Sequence, residues 1–228
     1  MQTVSMQSGR EKAIVNEFIY SVYNWMALGL ALTGVIAYFV ANSQTMMALI
    51  FGNKLVFYGL IIGELGLVFT LAARINTLQR STAITLYILY AALNGATLST
   101  IFLLYARSTI TSTFFICSAT FIVSSGYGML TKRDLTSMGS FLFMGLIGII
   151  IASVVNMFVQ SSQMSMIISY IGVLVFVGLT VYDTQRLKQM ALSQDANSKG
   201  AILGALTLYL DFINLFLMML RIVGGGRD

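Results

Sequence analysis

The sequence has no histidine and no proline, a single cysteine, and only 9% charged residues among its 228. Each shortage excludes something. Without histidine there is no imidazole metal site and no histidine general base, which removes serine proteases and histidine-ligated metalloproteases. Without proline no ring can kink a helix, so a broken helix is expected to rely on glycine. Cys117 alone can form no internal disulfide, and within an apolar run it reads as a small packing residue. The shortage of charge excludes most. A soluble domain carries about 25% charged residues, and this chain has too few to cover a water-facing surface.

What is present is apolar: 57% of the residues are hydrophobic and the mean hydropathy is +0.86. The chain reads as an all-α integral membrane protein, embedded in the lipid bilayer. Seven runs are long enough to cross about 30 Å of hydrocarbon at 1.5 Å per residue. They cover residues 23–41, 55–73, 82–104, 109–130, 138–159, 164–184 and 201–222. Residues 1–22 then form a polar N-terminal segment, and 23–228 one seven-helix transmembrane domain. No short apolar core precedes a small-residue cleavage site, so the first span is expected to be an uncleaved helix. Short loops make sequence neighbours antiparallel neighbours in space.

Orientation follows from lysine and arginine. With the N-terminus inside, nine fall inside (Arg10, Lys12, Arg74, Arg80, Lys132, Arg133, Arg186, Lys188, Lys199) and four outside (Lys54, Arg107, Arg221, Arg227). That places the N-terminus in the cytoplasm and the C-terminus outside. The net charge of +5 does not indicate nucleic acid, because the cations sit at the ends of apolar runs rather than on one face.

Three acids interrupt this pattern. Asp211 lies in the middle of Gly204-ALTLYLDFINLFLMML-Arg221, Glu64 inside FYGLIIGELGLVFT, and Asp183 at the end of VLVFVGLTVYDTQRLK. A carboxylate at membrane depth costs several kcal/mol unless it is protonated, paired or wetted, so it marks function by default. On a helix turning 100° per residue, Gly204, Thr207, Asn214, Met218 and Arg221 all fall within about 80° of Asp211. Tyr209 alone among the polar residues falls on the other face. Lipid cannot satisfy such a stripe, so span seven is expected at the centre of the bundle, surrounded by the other six, with Thr207 and Asn214 supporting Asp211. Asparagine alone would serve as interhelical glue; an ionisable group is the costlier choice.

Counting inward from the loops puts Asp211 and Glu64 near mid-membrane and Arg74 and Asp183 at the cytoplasmic end. Arg221 falls at the outer end. Two pairings suggest themselves: Arg74 with Asp183 at the inner mouth, and Arg221, snorkelling inward, with Glu64. Position alone leaves alternatives open. Asp183 reads equally as a solvated acid in a helix-ending Asp-Thr-Gln-Arg turn. Glu64 also reads as a protonated, glue-like acid beside Gly63 and Gly66, and Gly59-x-x-x-Gly63 hints at close helix approach. The count also leaves Asp183 and Asp211 about 10 Å apart in depth. They meet only if span six continues past Asp183 through RLKQMALSQ, or span seven begins deeper.

At these residues the chain resembles the Bax inhibitor family, also called the transmembrane Bax inhibitor motif family, and most of all its short bacterial members. GLTVYDTQRLK and GALTLYLDFINLFLMMLRIVGGGR carry the likeness most specifically, and VYNWMALGLALTGVIAYFVA looks like the family's first span. The resemblance implies a pH-sensitive calcium leak channel in a bacterial inner membrane, tied to stress responses, with span seven central. It implies that Asp183 and Asp211 form a di-aspartyl pH sensor and that Arg74 is a latch bonding one aspartate in the closed pore. Glu64 and Arg221 would form an outer pair. Two carboxylates together in low dielectric share a proton, and acid would loosen Arg74 from Asp183. Calcium, the transported ion, needs six to eight oxygens; Asp183, Asp211 and Glu64 would hold it weakly and transiently. No other cofactor is implied.

Other classes fit less well, and no enzyme is expected. Intramembrane aspartyl proteases also use two aspartates, but Asp211 sits in Leu210-Asp211-Phe212, and their proline motif cannot exist here. A regulatory protein that restrains a membrane protease or a death-pathway partner is a second reading. A proton-coupled transporter is a third.

Overall fold

A computed structural model of the protein describes residues 2–192 and 197–225, with side chains from Lys12 onward. Residues 193–196, in the loop before the last span, and 226–228, including Arg227 of the orientation count, lie outside the described residues. All elements among the described residues are helices: α1 (Gln2–Ala41), α2 (Gln44–Phe51), α3 (Lys54–Arg74), α4 (Arg80–Leu98), α5 (Ile101–Leu104), α6 (Arg107–Leu130), α7 (Thr136–Val159), α8 (Ser162–Ala191) and α9 (Ser198–Gly224). Seven stretches are long and apolar enough to cross a membrane. They match the seven runs read from the sequence, and the chain is an all-α, multi-pass integral membrane protein. Large apolar side chains such as Phe39, Leu55, Phe69, Phe115, Phe158 and Leu174 stand exposed, as an outer surface in contact with lipid tails requires.

Four local features depart from the sequence reading. Helix α1 does not wait for residue 23: helix runs from Gln2, and its apolar span from Lys12 to Ala41. The loop after it contains α2, started by Ser43, whose hydroxyl accepts from the Met46 N–H at 3.3 Å. Asn53 then caps α3, its Oδ1 accepting from Leu55 N at 2.9 Å. These are ordinary N-cap bonds to otherwise orphaned amides. The third span is interrupted between α4 and α5, and no glycine does it. The hydroxyls of Ser99 and Thr100 turn back onto the carbonyls of Ala96 (2.7 Å) and Thr97 (3.3 Å), offering the backbone an alternative to the helical ladder.

The fourth departure matters most for function. The sixth span does not end at residue 184: α8 runs on to Ala191. Asp183, Leu187 and Ala191, spaced by four, are all buried, so one inward face continues through the turn where a helix end was expected. Helices α8 and α9 are also the most enclosed of the seven, with 44% and 67% of their most apolar stretches buried, against 33% or less elsewhere.

The chain forms two compact units: Met1–Leu104 with Lys188–Tyr209, and Tyr105–Leu187 with Leu210–Asp228. In the first, α1 packs on α4. Close approach is possible because Gly95 carries no side chain; a Cβ there would lie 2.6 Å from the Thr33 carbonyl oxygen. The Gly59-x-x-x-Gly63 pattern marks no comparable contact, since a Cβ at Gly59 would meet nothing within 4 Å. Asn197 caps α9 through bonds to the Lys199 and Gly200 amides, both 2.9 Å. The Lys199 ammonium in turn donates to the carbonyls of Asn76 (2.9 Å) and Leu78 (3.1 Å) in the α3–α4 loop. In the second unit, Phe114, Phe121, Phe212 and Phe216 form an edge-to-face cluster with ring centroids 5.5–6.4 Å apart. Cys117 is buried, as a packing residue would be, with its thiol 3.8 Å from the Phe212 carbonyl.

Candidate functional site

Asp183 and Asp211 meet. Both belong to the second unit, both are buried, at 6% and 5% exposure, and a side-chain hydrogen bond joins them. The length of α8 makes this possible. Asp211 is the midpoint of α9, thirteen residues from Ser198 and from Gly224. Asp183 now lies eight residues from the end of α8 at Ala191, about 12 Å inside the helix rather than at its end. A solvated acid at a helix terminus is therefore not what Asp183 is.

A bond between two carboxyl groups requires one proton. Asp211 Oδ2 is buried and receives no hydrogen bond from an amide, amine or hydroxyl. An oxygen without such a donor costs far less on a neutral acid than on a carboxylate. The cheaper arrangement has a neutral Asp211 donating to an ionised Asp183. Arg186, one turn further along α8 and exposed, adds a favourable charge interaction with Asp183.

The neighbours of Asp183 hold it in place. Thr184 shares a 3.0 Å hydrogen bond with Ser125 of α6. Gln185 accepts from the Leu135 amide at 3.0 Å and donates to the Arg133 carbonyl at 2.7 Å, which fixes the α6–α7 loop to α8. Gly128 brings α6 against α8; a Cβ there would lie 2.5 Å from the Val181 carbonyl oxygen. In that loop Asp134 accepts from the amide and hydroxyl of Thr136 at 2.9 and 2.6 Å, and these bonds hold its carboxyl below the usual range. The sequence shows the polar Asp-Thr-Gln-Arg run, but as a single-residue pattern it does not reveal that each side chain in it has its own partner.

In the first unit, Glu64 is the midpoint of α3 and only partly buried. Its two carboxylate oxygens accept from the Thr97 hydroxyl and from Asn94 Nδ2, the latter at 3.2 Å. The Asn94 carbonyl oxygen accepts from the Tyr209 hydroxyl at 3.0 Å. The Tyr209 oxygen lies 2.6 Å from the Thr33 hydroxyl, which also sits 2.8 Å from the Ala91 carbonyl. Tyr209, the residue left off the polar stripe, is fully buried at the centre of this chain, its ring edge-on to Tyr87 and Tyr90. Its hydroxyl was the available signal, because a buried phenol needs a partner.

The remaining stripe residues are less distinctive. Thr207 and Asn214 bond back to their own helix, to Leu203 O (3.1 Å) and Leu210 O (2.8 Å). The side of α9 opposite Asp211 is buried as well, at Ile202, Leu206 and Leu220. Arg74 is exposed at the C-terminal end of α3, and Arg221 exposed in the last turn of α9. Arg74 and Glu64 belong to the first unit, Asp183 and Arg221 to the second. Among the described residues no three acidic, histidine or cysteine side chains gather as a metal-binding group.

The sequence profile of the family described as "Inhibitor of apoptosis-promoting Bax1" matches residues 15–228. The chain is 48% identical to the inner membrane protein YbhL of Escherichia coli strain K12 over 221 residues, 95% of this chain and 94% of the relative. It is 45% identical to a protein of Borreliella burgdorferi, with 97% of each chain covered. A protein of Rickettsia prowazekii is 44% identical over 94% of this chain and 92% of its own. Matches of this length and identity leave one assignment: the chain belongs to the Bax inhibitor family, to which its Asp183 and Asp211 segments already pointed.

Proposed function

We propose that the protein is a pH-sensitive calcium leak of the bacterial inner membrane, gated by the proton that Asp183 and Asp211 share. One observation carries this reading: two acids, each 6% exposed or less, hydrogen-bonded to each other in two helices apolar enough to span a bilayer. Packing does not need such a pair. Two amides or two hydroxyls would join the helices at lower cost. Only an ionisable pair changes its charge with pH.

The chemistry follows from the count of protons. With one shared proton the pair carries a single negative charge on Asp183. Arg74, at the cytoplasmic end of α3, is the latch cation in this reading, attracted to that charge when the pore is closed. Acid adds a second proton, removes the charge and releases the latch. Calcium moves past oxygens that bind it weakly, those of Asp183, Asp211 and Glu64 together with carbonyls and water, because tight binding would stop conduction. The N-terminus is placed in the cytoplasm and the C-terminus outside by the lysine and arginine distribution. YbhL, an inner membrane protein, supports the same compartment. A partner-restraining role rests on the family description, which speaks of an inhibitor; a buried acid pair gives that role no chemistry.

The test is calcium flux into dye-loaded liposomes across pH. Wild-type protein conducts more at acid pH. If Asp183→Asn and Asp211→Asn leave both flux and its pH dependence unchanged, the pair is not the gate.

A further inference from the structure

The chain of hydrogen bonds that ends on Glu64 runs in one direction. Asn94 and Thr97 both donate to the carboxylate. Asn94 can do so while its own carbonyl accepts from Tyr209. An amide whose oxygen accepts a hydrogen bond is polarised into a better donor at its nitrogen, so the phenol strengthens the bond two links away. Thr33, on α1, lies against the Tyr209 oxygen but gives its one hydrogen to the Ala91 carbonyl, so the chain starts at Tyr209. Helices α9 and α4 of one unit thus aim neutral donors at a single carboxylate at mid-span of α3. Both side-chain partners of Glu64 in this unit are neutral. Donors of this kind orient a carboxylate and offset part of the cost of its charge without cancelling it, whereas an ion pair would cancel it.

We propose that Tyr209 is a positioning residue which, through Asn94, holds the Glu64 carboxylate oriented toward a permeating cation. The proposal rests on the calcium-leak reading for its consequence, but not for its geometry. In this scheme two devices on the chain do different work. The Asp183–Asp211 pair sets the pH at which conduction begins, and the Tyr209–Asn94 chain sets how strongly the path draws a cation once open. Tyr90 and Tyr87, the other phenols packed on Tyr209, stay in place when only the Tyr209 hydroxyl is removed.

The experiment uses full-length protein in liposomes with calcium as the probe ion, comparing wild type, Tyr209→Phe and Asn94→Leu. Infrared difference spectra against Glu64→Gln assign the Glu64 carboxylate band. Tyr209→Phe keeps the ring and loses one hydroxyl, so calcium flux is expected to fall about fivefold, the worth of one hydrogen bond. The pH of half-activation should not move, and the Glu64 band should shift. Asn94→Leu, which removes the link itself, should shift the band and lower flux in the same direction, and decides the matter if Tyr209→Phe does not fold. An unshifted Glu64 band in the folded variants overturns the proposal, whatever happens to flux. A shifted band with no calcium flux in wild type upholds the positioning role and overturns the leak reading instead.

Discussion

Replacing Asp211 with asparagine and, separately, with leucine should have unequal consequences for stability. The two side chains are similar in size to aspartate, but only asparagine can donate a hydrogen bond. In the structure Asp183 is 6% exposed and Asp211 supplies its buried partner. Asparagine keeps an N–H aimed at the Asp183 carboxylate, so the change in folding free energy should stay within about 1 kcal/mol. Leucine leaves Asp183 buried without that donor, which costs roughly 1–3 kcal/mol and more while the group is charged. For a chain of this length about 2 kcal/mol corresponds to a fall in Tm of about 4–8 °C. The penalty has a pH sign. It belongs to an ionised Asp183, so the leucine variant should be most destabilised at alkaline pH and recover part of the loss in acid, where Asp183 takes up a proton. Thermal unfolding in detergent, followed by circular dichroism at pH 8 and pH 5, measures this. Equal melting temperatures for the two variants at both pH values would refute the hydrogen-bonded, proton-sharing pair.

Three further outcomes are expected. Arg74→Ala, at an exposed helix end, should leave stability within about 0.5 kcal/mol of wild type while raising calcium flux at neutral pH; unchanged neutral flux would remove the latch. Asp134→Asn tests a different acid. The bonds from the Thr136 hydroxyl and amide hold its carboxyl below the usual carboxylate range, so whatever it contributes is present through the neutral range and lost only as pH falls through that lowered value. The flux profile between about pH 5 and pH 8 should therefore be unaffected, and a shifted midpoint would locate part of the sensor in the α6–α7 loop. Gly128→Ala would put a methyl 2.5 Å from the Val181 carbonyl oxygen. Backbone on α8 must move, and thermal unfolding should show a loss of about 1–3 kcal/mol; an unchanged Tm would mean that α6 and α8 pack less closely than described.

The spans were legible because each is a long apolar run, and no soluble packing competes with that signal. Their ends were less so. Helix α8 passes Asp183 because Leu187 and Ala191 continue its buried face, and Lys188 and Gln189 between them look from sequence like the start of a loop. The break after Leu98 was invisible to a search for glycine and proline, since serine and threonine hydroxyls make it. Among the site residues, Asp183, Asp211 and Glu64 were conspicuous as acids in apolar surroundings. Which of them meet was not legible, because helical periodicity orders residues around one helix and says nothing of its neighbour. The pairing of Asp183 with Asp211 came from the family likeness alone. Tyr209 was passed over because it lies on the side of α9 away from Asp211, which is also buried. Asn94 and Thr97, one turn apart in an apolar run, were a readable sign that α4 offers a polar face to some partner.

The central claim is that the proton shared by Asp183 and Asp211 sets the leak, and one titration addresses it. Infrared spectra of the reconstituted protein, referenced to Asp183→Asn and Asp211→Asn, follow the protonated carboxyl band of the pair while calcium flux is recorded in the same liposomes. The account predicts that band and flux change together, with the same midpoint pH, and that either substitution abolishes both transitions. A carboxyl band that stays constant while flux rises with acid would contradict it.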